Sequence, residues 1–266
     1  TKDKMVLLCA SLYGTNITYF KGIYLTITFF RRSESSYKFA VFFNNTVPRK
    51  WVEGLATLGV ILVDVETKVP SMASSDYGMF WRFLPILSDH QTLELPSSDG
   101  VFVVDTDEQN LPDDITNAVN VANSCDADAA WFAKSWDHDW VNLPDSYNPK
   151  VLIPGSGCFF RSYIPCTIAD VIMFVQEMQR IRPRVAGRER PYGWDELFLS
   201  NIVWDKLKKQ NWKLKVIPKP ARLVPHSVEG RSTSDTEYPM RTRLTKKWEN
   251  HIVEARASWL QWINKS

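Results

Sequence analysis

Apolar residues along this chain alternate between two spacings. Residues 5–14, MVLLCASLYG, form an unbroken apolar run closed by glycine, the pattern of a strand buried on both faces. Residues 19–32 carry a helical spacing, against the pull of their β-branched side chains. Residues 37–45, YKFAVFFNN, read as a second strand. Residues 47–59, VPRKWVEGLATLG, open with proline near the first turn and stop at glycine, as a helix does. Residues 60–65, VILVDV, predict a third strand; residues 74–87, SSDYGMFWRFLPIL, combine a polar cap with an apolar stripe and predict a helix; residues 100–105, GVFVVD, predict a fourth strand. This β-α-β-α-β-α-β order implies a mostly parallel sheet with helices on both faces, and such sheets bind ligands at the carboxyl ends of their strands.

The second half is less regular. ITNAVNVANSC reads as helix, DAAWFAKS and KVLIPGSGCFFRSYI as strands, residues 168–182 and 194–211 as amphipathic helices, and LKVIPK as a last strand. In the tail, Leu244, Trp248, Ile252, Ala255, Trp259 and Ile263 recur at helical spacing, so a final helix is expected to lie across the body of the protein. No repeat or low-complexity linker interrupts the 266 residues, and one continuous domain is expected.

Composition is that of an ordinary globular chain, 44% hydrophobic and 23% charged. Most of the eleven Trp are expected in the core. A net charge of +2 gives no reason to expect a nucleic-acid partner, although residues 206–222 hold seven Lys or Arg and no acid, a solvated face or an attractor of anions. Cys9, Cys125, Cys158 and Cys166 lack CxxC spacing and read as reduced core residues. No run approaches the roughly 18 apolar residues of a membrane span. The chain is expected to be soluble as given, cytoplasmic if complete and in the Golgi lumen if an N-terminal anchor was trimmed, since the numbering opens on Thr1. Asn16, Asn44 and Asn264 stand in glycosylation-type triplets, which also arise often by chance.

The chemistry concentrates after the fourth strand. Asp105 and Asp107 follow four apolar residues, and alternate residues of an extended chain point the same way, so both carboxylates face one spot. Two adjacent anions call for a cation between them, and hard oxygen ligands suit Mg²⁺ or Mn²⁺, an ion that would in turn clamp a diphosphate. Asp126 and Asp128 precede a strand, and Asp137 and Asp139 have no strand directly before them; neither pair has this placement. His226, after the last strand, is the most attractive third ligand, ahead of His90, His138 and His251. Asp195 and Glu196 open a helix behind Gly193 and Trp194; on physics alone they complement the helix dipole, and beside a pocket one could instead be a general base. Gly155 and Gly157 flank Ser156, which suits a close approach of ligand to backbone or, equally, a bulge.

This order of features, an apolar strand ending in DxD, a glycine-bearing strand, a GWDE helix start and a late His, resembles the GT-A class of nucleotide-sugar-dependent glycosyltransferases over residues 5–227. In size and texture the chain also looks like the compact, anchorless glycosyltransferases encoded by large DNA viruses of algae. The resemblance implies a single α/β domain, with residues 1–110 as the nucleotide-sugar half, 111–240 as the acceptor side and 241–266 as the C-terminal helix. It implies that Asp105, Asp107 and His226 hold Mn²⁺ or Mg²⁺ against the donor diphosphate. Ser11, Leu12 and Tyr13, in the loop after the first strand, and Thr106 would meet the nucleotide; Asp76 and Arg82 would reach the donor sugar or phosphate. Ser156 and Gly157 would line the sugar side, and Lys219 is the candidate basic contact to the diphosphate. The donor expected is UDP-linked, such as UDP-xylose or UDP-galactose, and the acceptor a glycan hydroxyl. Asp195 would be the base of an inverting reaction, with Glu196 in reserve; in some retaining members such an Asp only holds the donor sugar.

Two other DxD chemistries fail on spacing. A haloacid-dehalogenase-type phosphatase needs a small Thr or Val where Gln109 stands, and a calcium loop needs Gly and Glu where Asn110 and Thr116 stand. A carbohydrate-binding protein without turnover is the remaining rival.

Overall fold

The structure, a computed structural model, describes residues 5–33, 36–89, 93–106, 112–133, 157–181 and 193–218. Its centre is one seven-stranded sheet of order β3-β2-β1-β4-β6-β5-β7. The strands are β1 (Val6–Leu12), β2 (Tyr37–Phe43), β3 (Ile61–Asp64), β4 (Gly100–Val104), β5 (Ala129–Ala133), β6 (Gly157–Phe160) and β7 (Leu214–Pro218). Only β6 runs against its neighbours β4 and β5; the other pairings are parallel. The α/β, mostly parallel expectation therefore stands.

Residue parity in the strands decides what each helix layer covers. Val6, Leu8, Ala10 and Leu12 of β1, with Phe102 and Val104 of β4, share one core with helices α1 (Ile17–Ser33), α2 (Arg49–Ala56) and α4 (Pro112–Ser124). Leu7 and Cys9 of β1, with Val101 and Val103 of β4, share the other with the 3-10 helix Ser75–Ile86, α5 (Ile168–Ile181) and α6 (Trp194–Phe198). All seven residues of β1 and all five of β4 are buried, which explains their unbroken apolar runs.

After β3 the chain makes the one-turn helix α3 (Val65–Lys68), capped by Asp64, whose side chain accepts from Glu66 N. Residues 75–86 then form a 3-10 helix with Pro85 inside it. Trp81 anchors this segment: fully buried, it donates its indole N–H to Met72 O at 2.8 Å. After α6 the helix passes through a π-helical turn, Leu199–Val203, into α7 (Trp204–Lys209).

Further sequence readings can be placed. Cys9, Cys158 and Cys166 are buried free thiols, and burial pushes the Cys158 and Cys166 thiols up to about 12; Cys125 is free and exposed rather than in the core. Asn44 is 3% exposed, so in the folded protein it is not a glycan acceptor. Asp126 and Asp128 lie before β5, and Lys213 before β7, at the amino ends of strands parallel in direction to β4. Lys213 Nζ meets Asp126 at 2.6 Å and Lys206 Nζ meets Asp170 at 2.9 Å, so part of the basic run is neutralised at the end of the sheet opposite Asp105. Among the described residues, no helix is long and apolar enough to cross a membrane. The expected tail helix, with Leu244, Trp248, Ile252, Ala255, Trp259 and Ile263, lies outside the described residues.

Candidate active site

In the order β3-β2-β1-β4 the chain first winds away from β1 to one side and then returns to its other side. The carboxyl ends of β1 and β4 therefore border the crevice where doubly wound sheets take their ligands. Asp105 is the first residue past β4, and by parity it continues the Val101–Val103 face, toward the 3-10 helix and α6.

Arg82 holds this corner together. Its guanidinium is buried, and Nη1 donates to Val104 O at 3.2 Å and meets Asp105 Oδ1 at 3.0 Å, while Nη2 meets Asp195 Oδ2 at 2.5 Å. Its backbone N–H donates to Ser11 Oγ at 2.8 Å. One cation thus links two carboxylates that lie 90 residues apart in the chain (195 − 105). The side chain of Asp105 is 25% exposed and that of Asp195 8%, so Asp105 forms the rim and Asp195 the interior.

The electrostatics follow from this packing. Burial pushes the Asp195 carboxyl above its ordinary value; Arg82 opposes that shift and the nearby Asp105 adds to it. Burial also works against the charge on Arg82, but Asp105 and Asp195 outweigh it and hold the guanidinium above its usual value. The Tyr13 phenol is raised by burial first and by Asp195 next.

Asp195 stands in the first turn of α6, whose N-cap Gly193 has φ +72°. A first-turn acid ordinarily faces solvent and complements the dipole. Asp195 is instead 6% exposed and ion-paired across the fold, and Glu196 beside it is 4% exposed. Glu196 O accepts from Ser200 Oγ at 2.7 Å, within the π-helical turn.

The nucleotide-side expectations are corrected in part. Ser11 and Leu12 are the last residues of β1, not a loop, and Leu12 is packed against the α1 face. Tyr13 does follow the strand, but its ring packs edge-on to Trp81, 5.8 Å between centroids, and over Gly78, where a Cβ would come within 2.4 Å of Cδ1. Thr106 is 8% exposed, and its N–H donates to Asp105 Oδ1 at 2.9 Å. Asp76 accepts from Gln179 Nε2 of α5 at 3.3 Å. Gly157 sits opposite Val104, beside Asp105, but a Cβ there would meet Phe132 at 2.9 Å and Phe102 at 3.1 Å. The Cβ position of Gly157 thus points at the core rings of Phe132 and Phe102, which crowd any larger residue there. Asp107, Ser156, Lys219 and His226 lie outside the described residues, as do His90, His138 and His251.

For a divalent ion, Asp105 is a suitable hard donor at the rim, its carboxylate fixed because Oδ1 already takes donors from Arg82 and Thr106. Among the described residues no group of three or more His, Cys, Asp or Glu is placed to hold a metal.

No family model matches the chain, and no curated protein does. Its fold is similar to solved glycosyltransferase structures. The glucosyl-3-phosphoglycerate synthase of M. tuberculosis is 15% identical at TM-score 0.42, over 78% of this chain and 80% of that one. S. aureus TarS 1–349 is 10% identical at TM-score 0.44, over 82% and 59%. The mannosyltransferase PcManGT of Pyrobaculum calidifontis, solved with GDP-Man and Mn²⁺, is 14% identical at TM-score 0.46, over 87% and 59%. At such distances these likenesses say nothing of this chain's donor, metal or mechanism.

Proposed function

We propose that this protein is a metal-dependent glycosyltransferase that moves a sugar from a nucleotide-sugar donor, UDP-linked, to a hydroxyl of a glycan. The observation that carries the reading is the cluster at the β1/β4 crevice: a rim carboxylate, Asp105, and an interior carboxylate, Asp195, bound to one buried guanidinium.

Asp105, with Asp107 and His226, would hold Mn²⁺ or Mg²⁺, which when bound neutralises charge on the leaving diphosphate. Asp195 takes the proton of the acceptor hydroxyl as that oxygen bonds to the anomeric carbon. The bond from that carbon to the donor phosphate breaks, and the nucleoside diphosphate leaves with its electron pair. Burial of Asp195 supports the role, because a carboxylate with a raised pKa is a stronger base. Glu196 is the reserve base. Arg82 keeps Asp195 and Asp105 in one frame.

One observation favours a second reading. Asp195 Oδ2 and Asp105 share Arg82, which supports a donor-side role for Asp195, as for a sugar-holding residue of a retaining enzyme. The anomeric configuration of the product, read by NMR, separates the two. Transfer or donor hydrolysis that requires Mn²⁺ and vanishes in Asp107→Ala supports the proposal. Glycan binding without turnover, undisturbed in that variant, would establish a carbohydrate-binding protein in its place.

A further inference from the structure

A second polar network lies at the same end of the sheet, away from Arg82. Asn44 directly follows β2 and is 3% exposed. Its Nδ2 donates to Ala73 O at 3.0 Å and to Ser75 Oγ at 3.3 Å, at the start of the 3-10 helix. Its Oδ1 accepts from Thr46 N at 3.2 Å and from Thr46 Oγ1 at 2.5 Å. Thr46 Oγ1 in turn accepts from Gly14 N at 2.7 Å. A hydroxyl has one proton, and here it goes to Asn44, so the direction of the whole chain of bonds is set.

Gly14 turns the chain out of β1 with φ +70°. It follows Tyr13, and Ser11 and Asp105 meet the same Arg82, Ser11 Oγ accepting from its backbone N–H and Asp105 pairing with its guanidinium. The backbone held by Thr46 is therefore the wall of the crevice on the β1 side. Thr46 itself is exposed. An exposed threonine whose hydroxyl both gives and takes a bond between two strand ends is placed to fix a loop rather than to fill space.

We infer that Thr46, set by Asn44, is a positioning residue for the donor nucleotide: it fixes the Tyr13–Gly14 backbone against which the nucleotide seats. This rests on the proposed glycosyltransferase reading. Thr46→Val removes the hydroxyl and keeps the shape, Thr46→Ser keeps the hydroxyl, and both leave the bonds of Asn44 to Ala73 and Ser75 in place.

Two readouts on the full chain test it. Amide hydrogen exchange at Gly14, without donor, is expected to speed up roughly tenfold in Thr46→Val and to stay near wild type in Thr46→Ser. Donor KM is expected to rise roughly three- to tenfold in Thr46→Val with kcat changed by no more than about twofold, and Thr46→Ser is expected to restore it. Unchanged exchange at Gly14 overturns the brace. Faster exchange with an unchanged donor KM overturns its role in donor binding. If the wild type turns over no nucleotide sugar, the glycosyltransferase reading fails and the positioning role falls with it, while the exchange result still reports the brace.

Discussion

Replacing Arg82 by leucine removes the one described cation between Asp105 and Asp195, together with the bond to Val104 O. Leucine fills part of the space but answers neither charge. Breaking a buried ion pair from one side costs about 3–5 kcal/mol, because the partner stays buried and uncompensated. Asp195, 8% exposed at its side chain, carries most of that cost, and Asp105, 25% exposed, is partly relieved by water. Arg82→Lys keeps the charge but cannot fork between two carboxylates, so about 1–2 kcal/mol is expected. Urea unfolding at pH 7 and pH 5 measures both. Without its partner, Asp195 has a folded pKa above its unfolded one, so protonation favours the folded variant. The deficit of Arg82→Leu is largest at pH 7 and shrinks as the pH falls through the folded pKa. A loss below about 1 kcal/mol at pH 7, or a deficit that grows on acidification, refutes the electrostatic account of this corner.

Three further outcomes follow. Gly78→Ala forces a methyl to within 2.4 Å of the Tyr13 ring and is expected to cost about 1–3 kcal/mol in chemical unfolding; a neutral variant would mean the ring moves freely. Asp195→Asn keeps an oxygen that accepts from Arg82, so its stability loss should be smaller than that of Arg82→Leu, while sugar transfer falls about 10²- to 10⁴-fold if Asp195 is the base; retention of more than about a tenth of the activity rules that role out. Burial, with Asp113 adding to it, pushes Asp114 up to about 6; its stabilising contribution is complete below the unfolded pKa and is lost as the pH rises through 6. Asp114→Asn is therefore expected to gain about 1 kcal/mol at pH 7 and nothing below about pH 4, and equal unfolding free energies at pH 7 would disprove it.

β1 and β4 were legible because burial on both faces leaves an unbroken apolar run; β2 and β3 are only partly buried but still mostly apolar, and all four strands fall inside the runs read from the sequence. Asp105 was legible for the same reason, since it ends such a run at the carboxyl edge of the sheet. Residues 75–86 were readable as helical but not as 3-10, a difference of hydrogen-bond spacing that the apolar stripe does not encode. The bond between Arg82 and Asp195 was hidden because it spans 113 residues and depends on how α6 docks, so Asp195 looked like any first-turn acid. Gly157 was readable as a position that needs a missing side chain, but the sequence did not show that the crowding there comes from the rings of Phe132 and Phe102. The brace of Asn44 and Thr46 left only a polar pair after a strand, a signal that every turn carries.

The most direct test of the central claim is a thermal-shift series over nucleotide sugars, with and without Mn²⁺, on wild type and Asp105→Asn. The account predicts that at least one nucleotide sugar raises the wild-type Tm in a Mn²⁺-dependent way, by the equivalent of about 2.7 kcal/mol at a hundred times its Kd, and that Asp105→Asn abolishes the shift. No shift with any nucleotide sugar, or a shift that survives both removal of Mn²⁺ and Asp105→Asn, would contradict it.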